Sequence, residues 1–187
     1  GARELGMIQA AMRWHDAEEI TYVVFDLFEQ ATPVLIAQEF SKIPPRREAV
    51  LRRLRPTGAH ISLIGGNTRD TLERQRVAAD LIFIDGGHSE QTIASDWKAL
   101  EPAVYAGATV VFDDFYHNGP PGMGCRTLIE ALPYDEWDVT TLPVSDEFSK
   151  PWGTLGIHMI VVRRRGASRT LTTNSTLAHS STSDPAS

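Results

Sequence analysis

The stretch from Asp80 to Asp114 limits the fold of this chain more than any other. Two short apolar runs, residues 81–84 and 110–112, each end on carboxylates: Asp85 after the first, Asp113 and Asp114 after the second. Both runs are continuous rather than alternating, as suits strands of a parallel sheet covered on both faces. Between them Ile93, Trp97, Leu100 and Val104 recur on one helical face, with Ser89 placed to cap the start and Gly107 beyond the end. The unit is strand, helix, strand. Ligands of open parallel sheets bind beyond the carboxyl ends of the strands. Asp85, His88, Asp113 and Asp114 all fall at that edge, so they are the first functional candidates.

The rest of the chain extends this pattern. Residues 2–15 read as a helix with Leu5, Ile8 and Met12 on one face, and Gly1 ahead of it could close a ligand-binding turn or mark an arbitrary start. Residues 20–25 are β-branched and aromatic, hence a strand, and Asp26 ends it. An acid there can accept hydrogen bonds from ribose hydroxyls, or simply cap a loop. Residues 34–40 suit a short helix and 46–55 a basic one, whose arginines read as a solvated face. Residues 61–64 form a strand closing on Gly65-Gly66-Asn67-Thr68. Gly66 allows close backbone approach, Asn67 could meet a base edge and Thr68 could cap a helix starting near Asp70; a plain tight turn with a helix cap is the alternative.

After Asp114 a glycine- and proline-rich loop, 115–124, lies at the same edge. A helix over 125–132 and strands over 137–142 and 156–163 follow. Residues 145–153 read as a polar loop able to act as a lid. From residue 164 the composition turns to Ser, Thr and Ala, so 164–187 read as a disordered tail and 1–163 as one α/β domain.

With 187 residues the chain can bury a single core, and its 42% hydrophobic and 22% charged content is that of a soluble globular protein. A net charge of −6 argues against nucleic acid and anionic membrane as partners. One cysteine, Cys125, excludes an internal disulfide, and no apolar run is long enough to span a bilayer; both suit the cytoplasm.

Taken together, these motifs resemble the class I S-adenosylmethionine-dependent methyltransferases. The resemblance covers about residues 1–163. It rests on Ile84-Asp85-Gly86-Gly87-His88-Ser89, Phe112-Asp113-Asp114, Phe25-Asp26-Leu27-Phe28-Glu29, the 39–45 stretch and Gly66-Asn67-Thr68. It implies a Rossmann-like, doubly wound, mostly parallel sheet with an antiparallel last strand. The family's first strand and most of its glycine-rich loop are absent here, which implies a natural protein longer at its N-terminus. By resemblance Gly1, Asp26, Leu27, Gly66, Asn67, Thr68, Asp85 and Gly86 would line the cofactor S-adenosylmethionine. Asp26 would hold the ribose and Asn67 would lie near adenine. The expected reaction is O-methylation of a small molecule, a sugar or natural-product-like hydroxyl. His88 would act as base and Asp85 would border the transferring methyl. Relatives with carboxylates at equivalent strand ends bind magnesium, so Asp85, Asp113 and Asp114 form an optional metal set. A nicotinamide-dependent oxidoreductase and a non-catalytic binding domain of the same fold are the rival readings.

Overall fold

The computed structural model describes residues 2–39, 42–75, 77–151 and 153–166. Gly1, residues 40 and 41 of the 39–45 stretch, Trp152 and most of the expected tail, 167–187, lie outside them. The elements are α1 (Ala2–Ala11), β1 (Thr21–Asp26), α2 (Pro33–Gln38), α3 (Arg47–Leu54), β2 (His60–Gly65), α4 (Thr68–Arg74), β3 (Leu81–Ile84), α5 (Glu90–Leu100), β4 (Thr109–Tyr116), α6 (Arg126–Glu130), β5 (Trp137–Lys150) and β6 (Gly153–Arg164).

The strands form two sheets. β1 and β2 pair in parallel, and four strands stand in the order β3-β4-β6-β5. β3 and β4 are parallel, whereas β6 runs antiparallel to both neighbours. Among the described residues no strand precedes α1, and none pairs with both β1 and β3. This is the expected Rossmann-like layering with an antiparallel last strand.

The larger core packs α4, α5 and α6 on one face of the four-stranded sheet, around Trp97, Phe112, Trp137, Ile160 and Val162. Trp97 meets Phe112 and Trp137 at centroid distances of 5.4 and 5.1 Å, tilted contacts that contribute about 1 kcal/mol each beyond area burial. A second core joins Ile8 of α1, Val50 and Leu54 of α3, Phe28 and Leu63 of β2. Phe25 of β1 packs against the larger core and so ties the two sheets together.

Several expectations change. The helix expected over 2–15 stops at Ala11, and Met12 and Trp14 are exposed beyond it. β3 is not covered equally on both faces: Ile82 and Ile84 are buried, whereas Leu81 on the opposite face is exposed; among the described residues β3 pairs with β4 alone. The expected polar loop 145–153 is instead the far end of a hairpin, in which Ser145 opposes His158 and Lys150 opposes Gly153. Both faces of this ribbon meet solvent over much of its length, so its strands lack the alternation that marks a half-buried strand. At the next edge Asn67, not Thr68, caps α4: its side chain accepts from the Arg69 amide at 3.0 Å, and the helix begins at Thr68. β6 runs through Arg164, whose guanidinium donates to the Val104 and Glu101 carbonyls, one residue into the expected tail.

Candidate active site

The carboxyl ends of β1, β2 and β3 and the outer half of β4 bring the candidate residues to one edge. Asp26 and Gly65 sit side by side at the ends of β1 and β2, and the Gly66 amide donates to the Asp26 carbonyl at 3.0 Å. The Asp26 carboxylate accepts from the Phe28 amide at 2.8 Å, so it also holds the turn after β1. Burial raises its pKa, against that hydrogen bond. Gly66 has φ +140°, open to glycine and costly for other residues.

Asp85 follows β3, and Gly86-Gly87-His88 leads to Ser89, the cap of α5, as expected. Glu39 lies across this turn. It accepts from the Ser89 amide at 2.7 Å, the Ser89 hydroxyl at 2.9 Å and the Thr92 hydroxyl at 2.7 Å. Burial works against its charge, but these donors prevail and its pKa is lowered. Gly87 permits the approach: a Cβ there would fall 2.8 Å from a Glu39 oxygen and 2.6 Å from Thr92. Under the same turn Asp96 is buried, 6% exposed, and its Oδ1 has no hydrogen-bond partner among the described residues. Burial pushes its carboxyl up to about 6, with the Thr68 hydroxyl opposing.

On β4 the register with β6 shifts between Phe112 and Phe115, placing Asp113 and Asp114 in a bulge. Asp114 has φ +61°, a left-handed conformation that costs a non-glycine residue on the order of 1 kcal/mol. Bulges re-aim side chains beside functional sites. Here the bulge lets Asp114 and Asp113 meet different partners. The Tyr116 hydroxyl donates to Asp114 Oδ1 at 2.8 Å, and His88 Nε2 lies 3.5 Å from Asp114 Oδ2. Asp113 instead accepts from Arg3 Nη1 at 2.7 Å, and the same nitrogen donates to Asp85. Burial raises the pKa of Asp114, with Asp113 adding to it and His88 opposing. Burial likewise raises Asp85, against the pull of Arg3.

The loop after β4 fixes the His88–Asp114 pair from behind. The Gly124 amide donates to the His88 carbonyl at 2.7 Å and the Cys125 amide to the Asp114 carbonyl at 3.1 Å. Gly124 has φ +85°, and a Cβ on it would stand 2.5 Å from the Asp114 carbonyl oxygen. Just beyond the end of β4 a groove of about 360 Å³ lies against the hairpin, lined among others by His117, Asn118, Ser145, Glu147, Thr154 and His158. The His117 and His158 rings meet edge to face at 4.7 Å.

The structure thus gathers Asp85, His88, Asp113 and Asp114 and sets Asp26, Leu27, Gly66, Asn67, Thr68 and Gly86 on the neighbouring turns. Phe115 packs against the larger core, and Tyr116 turns inward onto Asp114. Sequence reasoning missed Arg3, Glu39, Asp96 and Tyr116. Only Tyr116 stands close in sequence to its partner; Arg3 is 82 residues from Asp85.

No curated protein matches this chain. Among solved structures, a candidate O-methyltransferase from Klebsiella pneumoniae superposes with a TM-score of 0.50 at 16% identity, over 87% of this chain and 81% of that one. A candidate rRNA methylase from Clostridium thermocellum gives 0.51 at 9% identity, over 87% and 97%. The Streptomyces achromogenes O-methyltransferase TomG, solved with S-adenosylmethionine, gives 0.45 at 18% identity, over 87% and 81%. At these identities the first two speak for the fold alone. Residues 5–115, more than half of the chain, match the family model described as a methyltransferase domain. With that match and the strand-end carboxylates in place, the chain belongs to the class I S-adenosylmethionine-dependent methyltransferase family.

Proposed function

We propose that this protein O-methylates a hydroxyl of a small molecule. The observation that carries this reading is the His88–Asp114–Tyr116 chain at the strand-end edge beside Asp85. When bound, S-adenosylmethionine supplies a methyl group on a sulfonium, which an acceptor oxygen displaces in line. The edge suits such a group. Asp26, Leu27, Gly66, Asn67 and Thr68 stand on adjacent turns for a nucleoside, with Asp85 and Gly86 on the next strand end. Asn67 spends its side-chain oxygen on Arg69, which leaves its amide hydrogens for a base.

His88 takes the proton from the acceptor hydroxyl. Asp114 faces Nε2, so Nδ1 is the nitrogen left to act as base, and the carboxylate stabilises the imidazolium that forms. Tyr116 holds Asp114 in place through its hydroxyl. Positioning of the acceptor supplies much of the remaining acceleration.

The groove beside the hairpin supports a hydroxylated, sugar-like acceptor. The side chains on its wall are imidazole, amide, carboxylate and hydroxyl groups, and it begins at His117, three residues beyond Asp114. The net charge of −6 favours such an acceptor over nucleic acid. A single cysteine, which can form no internal disulfide, fits the cytoplasm. No described helix is long and apolar enough to cross a membrane.

The test is transfer of a labelled methyl group to a panel of sugars and phenols, with wild type and His88→Gln. The expected loss in the variant is about a hundredfold or more in kcat at nearly unchanged cofactor affinity. Equal rates in both proteins would remove His88 as the base.

A further inference from the structure

We infer that Arg3 is the resident cation of the acidic edge, so that this site works without a bound magnesium ion. The inference builds on the methyltransferase reading only in taking this edge as the reaction site. The resemblance puts Asp85, Asp113 and Asp114 around one magnesium ion, and the structure tests that fit directly. The three carboxylates do not face a common point. Arg3 Nη1 donates to both Asp85 and Asp113, while the β4 bulge lets Asp114 meet His88 and Tyr116. Among the described residues the one set of donors converging within 4.8 Å is Asp85, His88 and Asp114. Magnesium asks for about six oxygens at close to 2.1 Å. This set offers an imidazole in place of an oxygen, Asp85 is already bound to Arg3, and Asp114 Oδ1 is already taken by Tyr116.

The guanidinium is placed rather than loosely tethered. It lies 5.3 Å over the Phe83 ring, and α1 is anchored a turn and a half further on by fully buried Ile8. Burial works against its charge, yet Asp85 and Asp113 together hold its pKa above the ordinary value. One guanidinium nitrogen, with two N–H groups and a charge that does not titrate away, bridges the two carboxylates. The repulsion among the strand-end acids, which would otherwise call for a metal, is thereby offset from within the chain. Deprotonation of the acceptor is left to His88.

The deciding experiment measures Mn²⁺ binding by electron paramagnetic resonance in wild type, Arg3→Gln and Arg3→Gln/Asp113→Asn. It needs no turnover, so it separates this inference from the methyltransferase reading. Wild type should leave Mn²⁺ free at ~1 mM, the weak limit of oxygen-ligand sites. Arg3→Gln should tighten binding about tenfold or more, because a unit charge beside two carboxylates is gone. Adding Asp113→Asn should cancel that gain. Arg3→Lys, which keeps the charge, should bind as weakly as wild type even if Arg3→Gln unfolds. Stoichiometric Mn²⁺ uptake by wild type, or no gain in a folded Arg3→Gln, would overturn the inference. So would methyl transfer that stops in EDTA and returns with magnesium.

Discussion

Asp96 shows how a single buried carboxyl ties the active edge to stability. It lies under the Gly86–Gly87 turn, its Oδ1 without a partner among the described residues, with a folded-state pKa of about 6 against an ordinary 3.8. The native state therefore holds the proton more tightly than the unfolded chain. Stability is fullest below the unfolded value and falls as pH rises through about 6, by at most about 3 kcal/mol. Asp26, Asp85 and Asp114 are raised by burial too and act in the same direction, whereas Glu39, lowered, stabilises above its range and loses that contribution in acid. Asp96→Asn should raise stability at pH 8 by about 1–3 kcal/mol and flatten the slope between pH 5 and 8. Urea unfolding at both pH values measures this; an unchanged slope would assign the pH dependence to the other acids. At this scale the strand-end acids and His88 could be read from the sequence because short apolar runs point straight at them. Arg3 and Glu39 could not, since each meets its partners across 50 residues or more and no periodicity reports that.

Two elements carry the site's geometry, the loop after β4 and the β5–β6 hairpin. The Gly124 amide donates to the His88 carbonyl and the Cys125 amide to the Asp114 carbonyl, and Gly124 has a positive φ with no room for a Cβ. Gly124→Ala should lower kcat by about tenfold or more through displacement of Asp114. The melting temperature of the same variant checks that the loss exceeds what unfolding explains. The hairpin end is a separate case. A version with residues 147–156 replaced by Asn-Gly keeps the Asp146–Ile157 pair flanking a two-residue turn. It should fold and keep its cofactor affinity while the acceptor KM rises by about tenfold, the mark of lost uniform binding. An unchanged KM would remove the groove from acceptor recognition. The hairpin end went unread in the sequence because a ribbon wet on both faces has no apolar period. The Asp80–Asp114 unit was legible as strand, helix, strand because Ile93, Trp97, Leu100 and Val104 all reach the core, although α5 ends at Leu100 and β4 runs on through Tyr116.

At the scale of the molecule, two parallel pairs and an antiparallel β6 set the described candidate residues on one edge, and two separate cores hold that edge. The doubly wound character followed from the sequence, since continuous apolar runs alternating with amphipathic helices admit few other arrangements. The division into two sheets did not, because strand neighbours are set by long-range pairing. The central claim is that this edge binds a nucleoside cofactor through Asp26. Calorimetric titration of S-adenosylhomocysteine into wild type and Asp26→Asn tests it most directly. The account predicts one site per chain in wild type and about tenfold or greater weakening in the variant, the effect of losing charge-assisted hydrogen bonds. No heat of binding to the folded wild type, or equal affinity in both proteins, would contradict it.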